Sequence, residues 1–308
     1  MRCNASVEPA IDSYQIWPCG RFILAQNPQV TRENHWVPQG YLKRWTYDPA
    51  RTKVRRTNTE TGEIESKPIK KVPVRAHLYA PMGPDGRRSD PLEKKLSMLE
   101  RWFGEPVWDH VCCGSPDLTN RHMRMMLSLL AASSFLRTPR HFEQWKTVHQ
   151  NLVTFVETES IEHGLPDFLT INGQRTQLDA EGWGAFTSRS EEELKKGWND
   201  WVGDAAGLAT ELMKLRWSML ISETSSFITS DDPVVITDGE GVFRGIANTE
   251  TRVIYPLCPT RILMMDHKKG EPEGAYYGLE DCGASVNAHI WRNAFRDVFS
   301  LRHPNENP

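Results

Sequence analysis

Phe227-Ile228-Thr229-Ser230-Asp231-Asp232-Pro233-Val234-Val235-Ile236 is where the chain changes period. Two short apolar runs flank a polar turn that Pro233 closes, a strand–turn–strand pattern. Before it, from about residue 90 to 222, apolar residues recur at helical spacing. After it come Arg252 to Leu257, Arg261 to Met265 and Val298 to Leu301, each short, apolar or β-branched, and bounded by turns. A helix over roughly Ala284 to Phe295 precedes the last of them. At the front, residues 52–58 and 63–72 read as two strands around Glu60-Thr61-Gly62. The order strands, helices, strands predicts an α+β fold: a central helical layer (about 90–222) packed on a mainly antiparallel sheet built from strands before and after it.

Within the helical region, Asp90 and Pro91 open one helix and Gly104 stops it. Ser115-Pro116 starts a second helix, and Thr138-Pro139 breaks it to start a third that runs to about Gly164. Residues 165–188 read as a loop region with a turn at Asn172-Gly173. Ser190 and Glu193 form a capping box. Leu194, Trp198, Trp201, Ala205, Leu208, Leu212, Leu215 and Met219 then share one face, which predicts a single helix of about 30 residues, or about 45 Å. Its aromatic stripe reads as core.

The chain has 308 residues with 39% hydrophobic and 25% charged, the balance of a folded globule, and a net charge of −3 removes any global basic field for nucleic acid. Residues 1–31, broken by Pro9, Pro18, Gly20 and Pro28, read as an N-terminal extension, and 32–308 as a single α+β domain. No apolar run approaches the roughly 20 residues that span a bilayer, nor the core of a signal peptide. The six cysteines, Cys3, Cys19, Cys112, Cys113, Cys258 and Cys282, contain no C-x-x-C pair and read as reduced thiols, which predicts a cytoplasmic protein with no membrane association.

Standard catalytic signatures are absent: no phosphate-binding glycine loop, no H-E-x-x-H, no nucleophile elbow and no zinc spacing. The chemistry therefore rests on polar clusters at the edges of apolar runs. His35 is a candidate general acid or base, because its pKa class lies near neutrality; a half-buried histidine bonded to the next turn reads the same way. Asp231 and Asp232 at a strand end are candidate ligands for a divalent ion, with Glu100 a third; Asp231 alternatively orients water, and turn geometry explains both aspartates without any ligand. Ser230 beside them and Asn287 are candidate substrate contacts. Arg137 and Arg140 flank a helix break, where a guanidinium grips a phosphate or carboxylate bidentately or pairs with loop carbonyls. Arg51, Lys53, Arg55, Arg56, Lys67, Lys70 and Lys71 make residues 51–72 a basic hairpin. It is a candidate nucleic-acid surface, with Arg55 and Arg56 as contacts, or else a solvated edge ribbon whose lysines block aggregation.

These clusters resemble a bacterial family called domain of unknown function 4238. Its His-aromatic-Val-Pro-x-x-Tyr-Leu element is matched by His35, Trp36, Val37, Pro38, Tyr41 and Leu42. Its Arg-Thr-Pro element is matched by Arg137, Thr138 and Pro139. Thr229, Ser230, Asp231, Pro233 and Val234 match a Thr-Ser-Asp-Asn-Pro-Val element, with Asp232 where Asn is more usual. Pro256, Leu257 and Pro259 match a later Pro-Leu-x-Pro element, so the resemblance runs from about residue 34 to 302. The resemblance implies a prokaryotic cytoplasmic protein and supplies no reaction. Taken with the residues, it gives two expectations. The first is a hydrolase of a phosphate-bearing substrate, a nuclease or phosphodiesterase in bacterial defence or stress response, with His35, Asp231 and Arg137 as its catalytic set. The second is a non-catalytic sensor that binds a small anionic ligand or a protein partner.

Overall fold

The computed structural model describes residues 30–302 except 166, 172, 173, 178, 225, 239–244 and 280–282. The N-terminal extension up to residue 29, the thiols of Cys3, Cys19 and Cys282, and the Asn172-Gly173 turn lie outside the described residues. The strands are β1 (Glu33–His35), β2 (Lys53–Asn58), β3 (Ile64–Pro68), β4 (Val74–Ala76), β5 (Phe168–Ile171), β6 (Gln174–Gln177), β7 (Arg216–Ile221), β8 (Ile228–Ser230), β9 (Val235–Thr237), β10 (Arg252–Cys258), β11 (Arg261–Asp266), β12 (Ala275–Gly278) and β13 (Asp297–Ser300). The α-helices are α1 (Gln39–Leu42), α2 (Pro91–Glu100), α3 (Pro106–Cys113), α4 (Arg121–Leu136), α5 (Pro139–His163), α6 (Ala180–Thr187), α7 (Glu191–Gly203), α8 (Ala206–Leu212) and α9 (Ala284–Asn293).

The fold is α+β, but in place of the one expected sheet its strands form two principal sheets and two two-stranded pairs, β1–β4 and β5–β6. Five strands run β12-β7-β11-β10-β9, antiparallel except where β12 lies parallel to β7. Four strands run β3-β2-β13-β8, all antiparallel. The four-stranded sheet unites the front of the chain with its end, since β2 pairs with β13 and β13 with β8. Both sheets have the same local cause: short runs that bury alternate or all residues, punctuated by turns. β10, whose residues from Val253 to Cys258 are all buried, turns into β11 at Pro259-Thr260. Gly62, at φ 71°, closes the β2–β3 hairpin in a conformation that favours glycine, and Asn58 Oδ1 accepts the amides of Glu60 and Thr61 there.

The helices correct the sequence reading in three places. The expected 30-residue helix is three elements. Its start is as read, with the Ser190–Glu193 capping box in place. It ends at Gly203, Asp204 turns out of helical geometry at φ −102°, ψ 36°, α8 follows, and Arg216 to Ile221 is a strand. Trp217, Ser218 and Met219 are buried between β11 and β12, and an apolar run buried on both faces carries no period that separates strand from helix. Trp201, expected in the core, is 41% exposed and stacks on Trp145 with ring centroids 5.7 Å apart. The second helix starts at Arg121 rather than Ser115, because Asn120 Oδ1 caps it by accepting from His122 N and Met123 N, and a further helix, α3, ends at Cys113 before it. Residues 165–188, read as a loop, hold the β5–β6 hairpin and α6.

The core is aromatic. Trp45, Trp108, Trp198, Trp217, Phe142, Phe227 and Phe299 are almost wholly enclosed, and Tyr41 stacks on Tyr255 with 6.0 Å between ring centroids. Among the described residues no helix is long and apolar enough to cross a membrane.

Candidate functional site

The four polar segments of the sequence pattern meet in the interior. Trp36 Nε1 donates to Asp231 O at 2.8 Å. Tyr41 OH donates to Pro256 O at 2.6 Å and lies 2.7 Å from Thr229 Oγ1. Arg137 Nη2 donates to His35 O at 2.5 Å, its Nη1 to Glu100 Oε1 at 2.6 Å and its Nε to Tyr79 OH at 3.3 Å. Tyr79 OH in turn donates to Arg137 O at 2.7 Å. Arg137 is 2% exposed. Burial works against its charge, but Glu100 and Tyr79 outweigh it and hold the guanidinium above its ordinary range. Every donor of this arginine that is named here is engaged within the protein, so it ties β1 to the α4–α5 junction.

The downstream aspartates hold the turn before β13. Asp231 accepts Phe295 N at 2.8 Å and Arg296 N at 3.0 Å, and its own amide donates to Asp297 O at 2.9 Å. Burial raises its pKa to about 6 while those amides pull it down. Asp232 is pushed further, to about 8, by burial, opposed by the Arg140 guanidinium at 3.2 Å. Ser230 Oγ accepts Asp232 N at 3.1 Å and donates to Asp232 O at 2.7 Å, a local turn bond. Arg140 also donates to Ala294 O at 2.8 Å, and Asn293 Nδ2 to Asp232 O at 3.0 Å. Asn287 Oδ1 accepts Ile228 N at 3.1 Å and its Nδ2 donates to Ser226 O at 2.8 Å, so the amide completes the backbone bonding beside β8.

His35 is the one member of the expected catalytic set with a partly open side chain. Its Nε2 lies 3.1 Å from Lys70 O, and its Nδ1 lies 3.4 Å from Gln39 Nε2. Burial lowers its pKa, against the Lys70 carbonyl and Glu100, which favours a neutral ring with the proton on Nε2. The structure thus brings His35, Arg137 and Asp231 together through the His35 carbonyl and the Trp36 indole, while their side-chain polar atoms turn to different partners. The three carboxylates read as metal ligands fit a metal poorly. Asp231 is capped by two amides, Asp232 faces Arg140 and Glu100 faces Arg137. Among the described residues no three His, Cys, Asp or Glu side chains gather as a ligand set.

Beside the basic hairpin lies a concavity of about 240 Å³. Four cations line it, Arg56, Lys67, Lys71 and Arg296, around one carboxylate, Asp297, over the apolar turn from Val72 to Val74. Arg56 pairs with Asp297 at 2.6 Å and with Glu65, and Lys67 pairs with Glu65 at 3.0 Å. Arg296 reaches Asp297 at 3.2 Å and is 53% exposed at its side chain. Arg55 faces another way, donating to Leu301 O at 2.5 Å and covering the Tyr47 ring at 4.6 Å. Arg296 and Asp297 were not visible as site residues in the sequence, because they reach the hairpin only through the pairing of Asp297 with Asn58 across β13 and β2.

The family whose model describes a protein of unknown function (DUF4238) matches residues 33–304. The chain belongs to the DUF4238 family. No curated protein and no solved structure matches it. In this DUF4238 protein the segments that carry the resemblance supply the buried joint between the two sheets and α4–α5. The solvent-facing polar chemistry sits at its rim, in the His35 ring and in the four-cation concavity.

Proposed function

We propose that this DUF4238 protein binds a phosphate-bearing ligand in the concavity between the β2–β3 hairpin and the turn entering β13. The observation that supports this reading is the set of four cations lining 240 Å³, of which Arg56 and Lys67 pair with Glu65, and Arg56 and Arg296 with Asp297. Guanidinium forks and ammonium groups are the side chains that hold phosphate oxygens, and Asp297 pairs with both Arg56 and Arg296. The volume is below the roughly 300–1,000 Å³ of a drug-sized ligand site, so it suits a phosphoryl group with the rest of the ligand lying outside. Lys53, Lys70 and Lys71 are exposed along the same hairpin, and a nucleic-acid backbone offers phosphates to such a spread of charge. We place this activity in the bacterial cytoplasm.

The arrangement supports recognition better than hydrolysis, because Asp231 and Arg137 are engaged in internal hydrogen bonds. The second reading, a nuclease or phosphodiesterase, is favoured by the lowered pKa of the half-open His35, which keeps a base available at neutral pH. One experiment addresses both. Labelled single- and double-stranded DNA and RNA, and pyrophosphate, are titrated at low salt with wild type and with a Lys67→Gln, Lys71→Glu double variant, and cleavage is followed with Mg²⁺ or Mn²⁺ and with chelator. Binding by wild type that weakens about tenfold or more in the variant, at unchanged thermal stability, is the expected result. Absence of binding to every one of these ligands overturns the proposal. Cleavage that His35→Ala abolishes while binding persists supports the second reading; cleavage unchanged by His35→Ala removes it.

A further inference from the structure

On another part of the surface a second concavity, about 210 Å³, is lined by Cys112, Cys113 and Cys258 together with Lys43, Arg44 and Arg51. It shares no lining residue with the phosphate concavity. Cys112 comes from α3 and Cys258 from the end of β10, where the register shifts between Pro256 and Cys258. The two side chains cross: Cys112 Sγ donates to Leu257 O at 3.7 Å and Cys258 Sγ donates to Cys112 O at 3.6 Å. Thr260 Oγ1 lies 3.3 Å from Cys258 Sγ. Both cysteines are almost fully buried except where they line this cavity, whereas Cys113 is exposed.

We propose that Cys258 and Cys112 form an oxidisable dithiol that small hydroperoxides reach through this cavity. Cys258 is the attacking sulfur. The neighbouring Cys112 thiol and the Thr260 hydroxyl, 3.3 Å away, hold its sulfur below the ordinary thiol range against burial, while Cys112 is pushed up. The Cys258 thiolate attacks the outer oxygen of the hydroperoxide. The O–O bond breaks, the alkoxide or hydroxide leaves with a proton from solvent, and Cys258 becomes a sulfenic acid by two-electron oxidation. The Cys112 sulfur then attacks Cys258 sulfur, the S–O bond breaks, and the departing hydroxide takes the Cys112 proton as water. With Cys112 Sγ 3.7 Å from Leu257 O and Cys258 Sγ 3.6 Å from Cys112 O, side-chain rotation brings the two sulfurs to the roughly 2 Å of a disulfide. The lysine and arginines at the mouth stabilise the anionic sulfur and the leaving oxygen.

The test titrates hydrogen peroxide into the full chain carrying Cys113→Ser, which separates Cys112 in peptide mapping by mass spectrometry, and follows Cys112→Ser in the same background. The expected result is a Cys112–Cys258 cross-link with loss of two hydrogens, formed faster than oxidation of free cysteine at pH 6.5 by about tenfold or more. In the Cys112→Ser variant, Cys258 is trapped as sulfenic acid by a dione reagent. If Cys112→Ser does not fold, the cross-link and its rate in the Cys113→Ser protein decide alone. Oxidation no faster than free cysteine, or a cross-link to Cys3, Cys19 or Cys282 instead, overturns the proposal.

Discussion

Asp232 places a carboxyl group where burial favours the neutral acid, and this gives the protein a pH signature. Its unfolded pKa is near the ordinary value of about 3.9. In the folded state it is raised to about 8 by burial, with Arg140 opposing and Asp231 adding to the rise. Between those values the folded state holds a proton that the unfolded state has lost. Stability therefore declines as pH rises from about 4 to about 8. Asp231, raised to about 6 chiefly by burial, adds a slope of the same sign over the lower part of that window. Asn at position 232 is a permanent analogue of the neutral acid. Thermal unfolding measured from about pH 4.5 to 8.5 should show a flatter profile for Asp232→Asn than for wild type; parallel curves contradict the assignment. Arg137→Ala should cost about 3–5 kcal/mol, because it leaves Glu100, the His35 carbonyl and Tyr79 without their buried partner. Urea unfolding measures it, and a cost under about 1 kcal/mol, the scale of an exposed ion pair, contradicts the buried-joint role.

At the scale of elements, the stretch from Ser190 to Ile221 shows what local sequence holds and what it lacks. The capping box and the Leu194–Trp198 spacing define α7, because both are interactions within a few residues. The conversion of Arg216–Ile221 to a strand depends on partners far away, β11 and β12, which no period within the stretch encodes. The α5 boundaries were legible for the opposite reason. Thr138-Pro139 and Gly164, at φ 74°, act through their own backbone preferences. The corrected boundaries separate two substitutions. Leu212, wholly buried at the end of α8, should cost about 2–5 kcal/mol on replacement by Ala. Trp201→Ala, at 41% exposure, should cost much less, chiefly the loss of its stacking on Trp145. Denaturant midpoints for the two variants check this ordering, and equal costs would restore the single-helix reading.

At the scale of the whole molecule, the segments that the sequence singled out meet in the interior, and their roles there were not legible. His35, Arg137, Asp231, Ser230 and Asn287 sit at strand and helix ends, where a polar side chain that caps backbone and one that meets a ligand have the same sequence context. Only partner geometry divides them, and it assigns Arg137, Asp231, Ser230 and Asn287 to internal bonds. The hairpin charges were legible. Their joining by Arg296 and Asp297 was not, since that depends on the terminal strand crossing to β2. The claim that this composite cradle receives phosphates is tested most directly by the salt dependence of nucleic-acid affinity. Wild type should show log K falling linearly with log salt, with a slope of about −3 to −4 for duplex if all four cations are engaged. Lys67→Gln with Lys71→Glu should reduce the magnitude by about 2. A wild-type slope near zero, or the same slope in the double variant, would contradict it.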